Sequence, residues 1–321
     1  MNKPLQIVKP RATTALETLV ADYLAHQRGL GLSPRSMGLT AAVLEKHFLP
    51  WTARERVTTP DQLTQRVLDR WGAYLLEDHR TPAGTALARE SVRTYLRTAS
   101  SFIHWAQGED LINPKLRARQ PVAEHRLLET LTREEITLME DAAGPERDKI
   151  IIRVLADTGI RLGELLGLRL TDLIEQGPPS KRERYLKVRG KGARERLVPL
   201  LPALSQRLRR FAERGRRGAT EERIFVTNRK SPKTGEYEPL APRSVQNMIR
   251  FTAQAAGIER SVHPHLFRHS YATWALRKGM NPLQLQRILG HADLTMISGV
   301  YSHLNESDAY TAMMELMRAE D

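Results

Sequence analysis

HPHLFRHSYATWALRKGMNPLQLQRILGHADLTMISGVY, residues 263–301, sets four histidines, Arg268 and a terminal Tyr301 among helical patterns. Arg268 falls three residues and His269 four residues after His265, so on one helix these side chains share a face and can be aimed at one small anion, with phosphate the natural candidate. The first helix spans about His265 to Lys278 and is ended by Gly279; the second is capped by Asn281 with Pro282 at its first position. Leu285, Ile288 and Leu289 form its buried side, and Gly290 terminates it, which puts His291 in a tight turn. A last helix, Glu306 to Glu320, carries the apolar stripe Tyr310, Met313, Met314 and Met317.

Upstream, DTGIRLGELLGL at 157–168 puts Arg161 at the start of a short helix anchored by Leu162, Leu165 and Leu166. By itself such an arginine reads as a solvated surface residue. Residues 185–189 and 195–200 read as strands around Gly190-Lys191-Gly192-Ala193, a hairpin turn with Lys191 at its tip. Residues 181–217 hold 14 Lys and Arg against three Asp and Glu. A solvated, solubility-promoting segment is the plain explanation of that excess, and contact with a polyanion is the sharper one. A basic helix at 201–214, a short strand from Arg223 to Val226 and a helix entered through Ala241-Pro242-Arg243-Ser244 lead back to the opening stretch. The basic start of that last helix can meet backbone phosphates.

A chain of 321 residues has room for about two domains. Its formal charge of +13 favours a nucleic-acid partner over a membrane. No cysteine is present, which excludes disulfides, thiolate catalysis and sulfur-based zinc sites. No apolar run approaches the roughly 20 residues of a membrane span, and no apolar leader follows Met1; the expected location is the cytoplasm, associated with the nucleoid. Near the N-terminus, the capping box Thr14-x-x-Glu17 precedes a helix ended by Gly29 and Gly31. Ser33-Pro34 opens a second helix that Pro50 should stop, Thr59-Pro60 opens a third, and residues 89–107 form a fourth. Four helices without a strand pattern predict an all-α domain over 13–112, followed by a proline-bearing basic linker at 113–129. The capping box Thr132-x-x-Glu135 then begins a second domain over 130–321. The expected fold is mostly α with a small antiparallel β-sheet.

Taken in order, TGIRLGELLGL, the GKG hairpin followed by RERLVPL, HPHLFRHSYAT, LGHADL and Tyr301 two residues before His303 resemble the tyrosine site-specific recombinases: phage integrases, Cre and the bacterial Xer proteins. The detailed resemblance covers about residues 130–305; over the N-terminal domain it is architectural, a small helical DNA-clamping domain. It implies that Arg161 and Arg268 are the phosphate-clamping arginines, Lys191 the hairpin lysine, His265 the first histidine, His291 the position taken by histidine or tryptophan, and Tyr301 the nucleophile. It also implies a double-stranded DNA recombination site as partner and a homo-tetramer on paired sites, with the final helix docking on a neighbouring protomer; the stripe Tyr310, Met313, Met314 and Met317 equally permits that helix to fold back onto its own domain. The short stretch before the first helix leaves no room for a lambda-type arm-site domain, so the expected architecture is nearer Cre and Xer. His291 and Tyr301 are ten apart where the family commonly shows nine, with Ser298-Gly299 inside the longer segment.

The chemistry of these residue types agrees with those roles. Two guanidiniums can hold the non-bridging oxygens of a phosphodiester as phosphorus becomes pentacoordinate. A lysine can protonate the departing 5′ oxygen, and a histidine can take the phenolic proton of a tyrosine that is protonated at neutral pH. The energy of the cleaved bond stays in the phosphotyrosine, so neither metal nor ATP nor another cofactor is expected. His263, His265 and His269 lack a matching carboxylate or cysteine, which disfavours a metal site; His269 is expected to pack or hydrogen-bond near the site. Tyr271 and Tyr310 lie in apolar stripes and read as packing residues rather than rival nucleophiles. A type IB topoisomerase and a DNA-binding protein with a degenerate site are the competing readings, disfavoured by the N-terminal domain and by the complete residue set.

Overall fold

The computed structural model describes residues 15–122, 129–190, 195–215 and 219–290. The chain divides near residue 125 into two compact units.

In the first unit, α1 (Ala15–Gly29) buries Leu16, Leu19, Val20, Tyr23 and Leu24, a stripe at helical spacing. Thr14, half of its expected cap, lies outside the described residues. At the start of α2 (Pro34–Val43), the Ser33 side chain accepts from the Ser36 N–H. Pro50 does not stop this helix, contrary to expectation. The chain passes through a π-helical turn, Leu44–Phe48, into α3 (Leu49–Arg54), with the Leu49 N–H donating to the Leu44 carbonyl. The wider turn places Pro50 in the first turn of the segment that follows, where a missing N–H costs least. Thr59-Pro60 opens only a single 3-10 turn; Thr64, accepting from the Val67 N–H, caps α4 (Gln65–Glu77).

With α5 (Arg89–Gly108) these helices enclose Phe48, Trp71 and Phe102. Phe48 meets Trp71 edge-on with ring centroids 5.0 Å apart. Leu116 and Ala118 are buried in the same core, so the start of the segment expected as linker is packed. Side-chain amides hold it there: Gln65 Nε2 donates to the Arg117 carbonyl while its oxygen accepts the Arg117 N–H, both at 2.9 Å.

The second unit is built on α7 (Glu146–Thr158), whose Ile150, Ile151, Ile152, Val154 and Leu155 are all buried. It packs against α6 (Arg133–Ala142), α8 (Leu162–Leu166), α9 (Pro202–Arg210) and α11 (Pro264–Arg277). The reciprocal Thr132 and Glu135 cap starts α6 as the sequence predicts. Three antiparallel strands, β1 (Leu173–Gln176), β2 (Glu183–Arg189) and β3 (Glu195–Pro199), form a sheet in that order. Leu186 pairs with Leu173 on one side and Val198 on the other. Residues 223–226, expected as a strand, make only isolated bridges, Arg169 with Arg223 and Val226 with Pro239. α10 (Pro242–Ala255), α11 and α12 (Pro282–Leu289) complete the described part.

Gly159 ends α7 in the left-handed region, at φ +61°, and a Cβ there would lie 2.7 Å from Tyr271 Cδ1 and 2.9 Å from Leu289 Cδ2. It is the point at which α7, α11 and α12 approach one another. Gly159→Ala is expected to cost about 1–3 kcal/mol from backbone strain alone, with the side-chain clash added. A thermal melt should show a loss of roughly 2–4 °C per kcal/mol; an unchanged midpoint would contradict this packing.

Candidate active site

Arg268 sits in the second turn of α11 and is 1% exposed. Its Nη1 donates to the Gly159 carbonyl and its Nη2 to the Leu289 carbonyl, both at 2.7 Å. These carbonyls lie at the C-terminal ends of α7 and α12, where unpaired oxygens and aligned peptide dipoles present partial negative charge. Burial first, then Arg161 and Arg196, pull the Arg268 guanidinium down to about 9, against the opposing pull of Glu164. It therefore remains charged at neutral pH.

Arg161 caps the start of α8 and its side chain is 37% exposed. Its Nη1 donates to Glu164 Oε1 at 2.9 Å, its backbone N–H to Glu164 Oε2 at 2.8 Å, and its Nη2 to the Gly290 carbonyl at 3.3 Å. Arg161 and Arg268 thus converge on consecutive carbonyls at the end of α12, immediately before His291. Glu164, with a side chain 5% exposed, also receives Arg196 from β3, with Nη1 to Oε1 at 2.9 Å and Nη2 to Oε2 at 2.8 Å. Burial pushes the Glu164 carboxyl up, but the bonds from Arg196 and Arg161 outweigh it and hold it below the usual carboxylate range. Glu164 and Arg196 were not singled out from the sequence.

His265 is exposed in the first turn of α11, whereas Arg268 and His269 are buried. The three residues share one helix, as the spacing predicts, but differ in exposure, because α11 is buried on nearly all sides beyond its first turn. His263 takes a capping role, its Nδ1 accepting the Leu266 N–H at 3.3 Å. Tyr271 is buried, which raises its phenol above the ordinary tyrosine range; packing against Gly159 agrees with its reading as a core residue. Lys191, His291, Tyr301 and the helix expected at 306–320 lie outside the described residues. A cavity of about 450 Å³ lined by Arg147, Arg207, Phe211 and Tyr237 contains none of the expected site residues.

Residues 127–308 match the Phage integrase family. A tyrosine recombinase of Pseudothermotoga lettingae is 29% identical over 304 residues, covering 93% of this chain and 96% of the relative. The tyrosine recombinase XerD of Chlorobaculum tepidum is 32% identical over 236 residues, covering 69% and 73%. A lambda integrase tetramer bound to a Holliday junction shares the fold, with a TM-score of 0.66 at 20% identity over 93% of this chain and 81% of that one. The chain belongs to the phage integrase family of tyrosine recombinases. Its activity is site-specific DNA recombination, in which strands are cut and rejoined through the 3′-phosphotyrosyl intermediate general to that family.

Proposed function

We propose that Tyr301 is the nucleophile of this recombinase and that Arg161, Lys191, His265, Arg268 and His291 surround the scissile phosphate. The observation that carries this reading is the convergence of Arg161 and Arg268 on the Leu289 and Gly290 carbonyls, which puts two guanidiniums beside the residue that precedes His291. In the first step the Tyr301 oxygen attacks phosphorus, His265 helps accept the phenolic proton, and Lys191 protonates the departing 5′ oxygen. The products are a 3′-phosphotyrosyl enzyme and a free 5′ hydroxyl. A 5′ hydroxyl from a partner strand then attacks the same phosphorus, releases Tyr301 and restores a phosphodiester. Arg161, Arg268 and a hydrogen bond from His291 hold the phosphoryl oxygens throughout.

The partner is double-stranded DNA, as the formal charge of +13 and the exposed Arg243 and Arg250 of α10 favour. The lambda integrase tetramer on a Holliday junction supports a homo-tetramer on paired sites. Within it, residues 306–320 would dock on the neighbouring protomer through Tyr310, Met313, Met314 and Met317. The protein would work in the cytoplasm on the nucleoid, and the two domains would meet DNA through residues 13–112 and 130–321.

Expression in cells, followed by denaturing capture of protein-bound DNA, tests the reading. A phosphotyrosine-linked peptide containing Tyr301, joined to one recurring DNA sequence, is expected. DNA attached through another residue would refute it. On a duplex carrying that recovered sequence, Lys191→Ala should slow cleavage while DNA affinity stays near wild type. A loss confined to binding would argue against the acid role.

A further inference from the structure

Arg196 lies on the inward-facing side of β3 opposite Val188, and its side chain is only 13% exposed. All three arms of its guanidinium are used. The Nε donates to the Ile288 carbonyl of α12 at 2.7 Å, and both Nη atoms bind the Glu164 carboxylate. The side chain lies close against Gly290, where a Cβ would come within 2.9 Å of Nη1 and 3.0 Å of Cζ. One side chain therefore ties β3, the carboxylate that holds Arg161, and the end of α12 together.

We propose that Arg196 is a positioning residue for strand cleavage, neutralising Glu164 so that the charge of Arg161 stays available to the scissile phosphate. Glu164 Oε1 accepts from Arg161 and from Arg196 at once, and the two cations share one buried anion. With Arg196 present, the group of Arg161, Arg268, Arg196 and Glu164 carries a surplus of positive charge to offer a phosphodiester. Without it, the buried carboxylate is left to Arg161 alone and draws that guanidinium inward, because an unpaired buried charge is costly. The end of α12 also loses the donor that holds Ile288, and Gly290 loses the surface against which it packs. The proposal rests on the reading of Arg161 as a phosphate ligand.

The test is single-turnover cleavage of a nicked duplex carrying the DNA sequence recovered with the covalent adduct, at saturating protein, alongside gel-shift affinity and thermal melting. Arg196→Met is expected to cleave roughly ten- to a hundredfold more slowly with little change in DNA affinity. Adding Glu164→Gln to Arg196→Met removes the uncompensated anion, and the double variant is expected to cleave faster than Arg196→Met alone. A purely structural role gives the reverse, since the double variant loses more of the hydrogen-bonded network. A wild-type rate for Arg196→Met, or a double variant no faster than the single one, overturns the proposal. Should melting show that Arg196→Met does not fold, Arg196→Lys is compared with Arg196→Gln. The charge-retaining variant must then be the faster, and equal rates count against the idea. Absence of an adduct from wild type would instead defeat the reading of the site itself.

Discussion

Replacing Arg268 by alanine is expected to remove roughly 3–4 kcal/mol of transition-state stabilisation, a loss in cleavage rate of at least about a hundredfold. The same change is expected to lower stability, because Arg268 is buried and its two donors satisfy carbonyls at the ends of α7 and α12. Arg161 gives the contrasting case. Its side chain is 37% exposed, and the buried Glu164 keeps both of its bonds from Arg196 when Arg161 is removed, so Arg161→Ala should cost less stability than Arg268→Ala. Its cleavage defect should nevertheless match that of Arg268→Ala. Arg268→Lys separates charge from geometry: it keeps the cation but cannot bridge two carbonyls with a planar fork. Melting curves and single-turnover rates for the three variants are the measurements. An Arg268→Lys protein that melts and cleaves like wild type would contradict the role given to the fork.

The helical parts of the fold were legible because their caps are local. Ser33, Thr132 and Asn281 each cap a helix that the sequence predicts, and Gly159 and Gly290 end theirs in the left-handed conformation. Local pattern misled at Pro50, where a π-helical turn absorbed the proline, and at Thr59-Pro60, where a second cap at Thr64 set the helix start. It was silent at β1, whose four residues include one buried side chain. Such a strand is defined by its pairing with β2 rather than by its own alternation.

The site divides in the same way. Arg268 stood out through its spacing from His265, and Arg161 only through the family resemblance, whereas Glu164 and Arg196 take their meaning from a contact between α8 and β3 that no local period reveals. A signal for each was present. Glu164 falls three residues after Arg161 in an otherwise apolar helix. In ERLVP, Arg196 shares its parity with the buried Val198, while Leu197 is 42% exposed. An arginine on the inward face of a strand requires a buried partner. The Arg161–Glu164–Arg196 arrangement also explains why β3, the strand that follows the lysine-bearing segment, is fastened to α12, the helix that precedes His291. One ion-pair network thus joins two described segments that are far apart in the sequence.

Tyr301→Phe is expected to have the largest effect of all, because on the proposed reading it removes the one atom that becomes bonded to phosphorus. Strand cleavage should fall to background while DNA binding and the melting temperature remain those of wild type. The most direct measurement is the yield of covalent protein–DNA adduct, resolved under denaturing conditions, from a nicked duplex in which the short downstream fragment bearing the free 5′ hydroxyl diffuses away. Wild type is expected to accumulate adduct and Tyr301→Phe to give none; equal adduct from the two proteins would contradict the assignment of Tyr301 as the nucleophile.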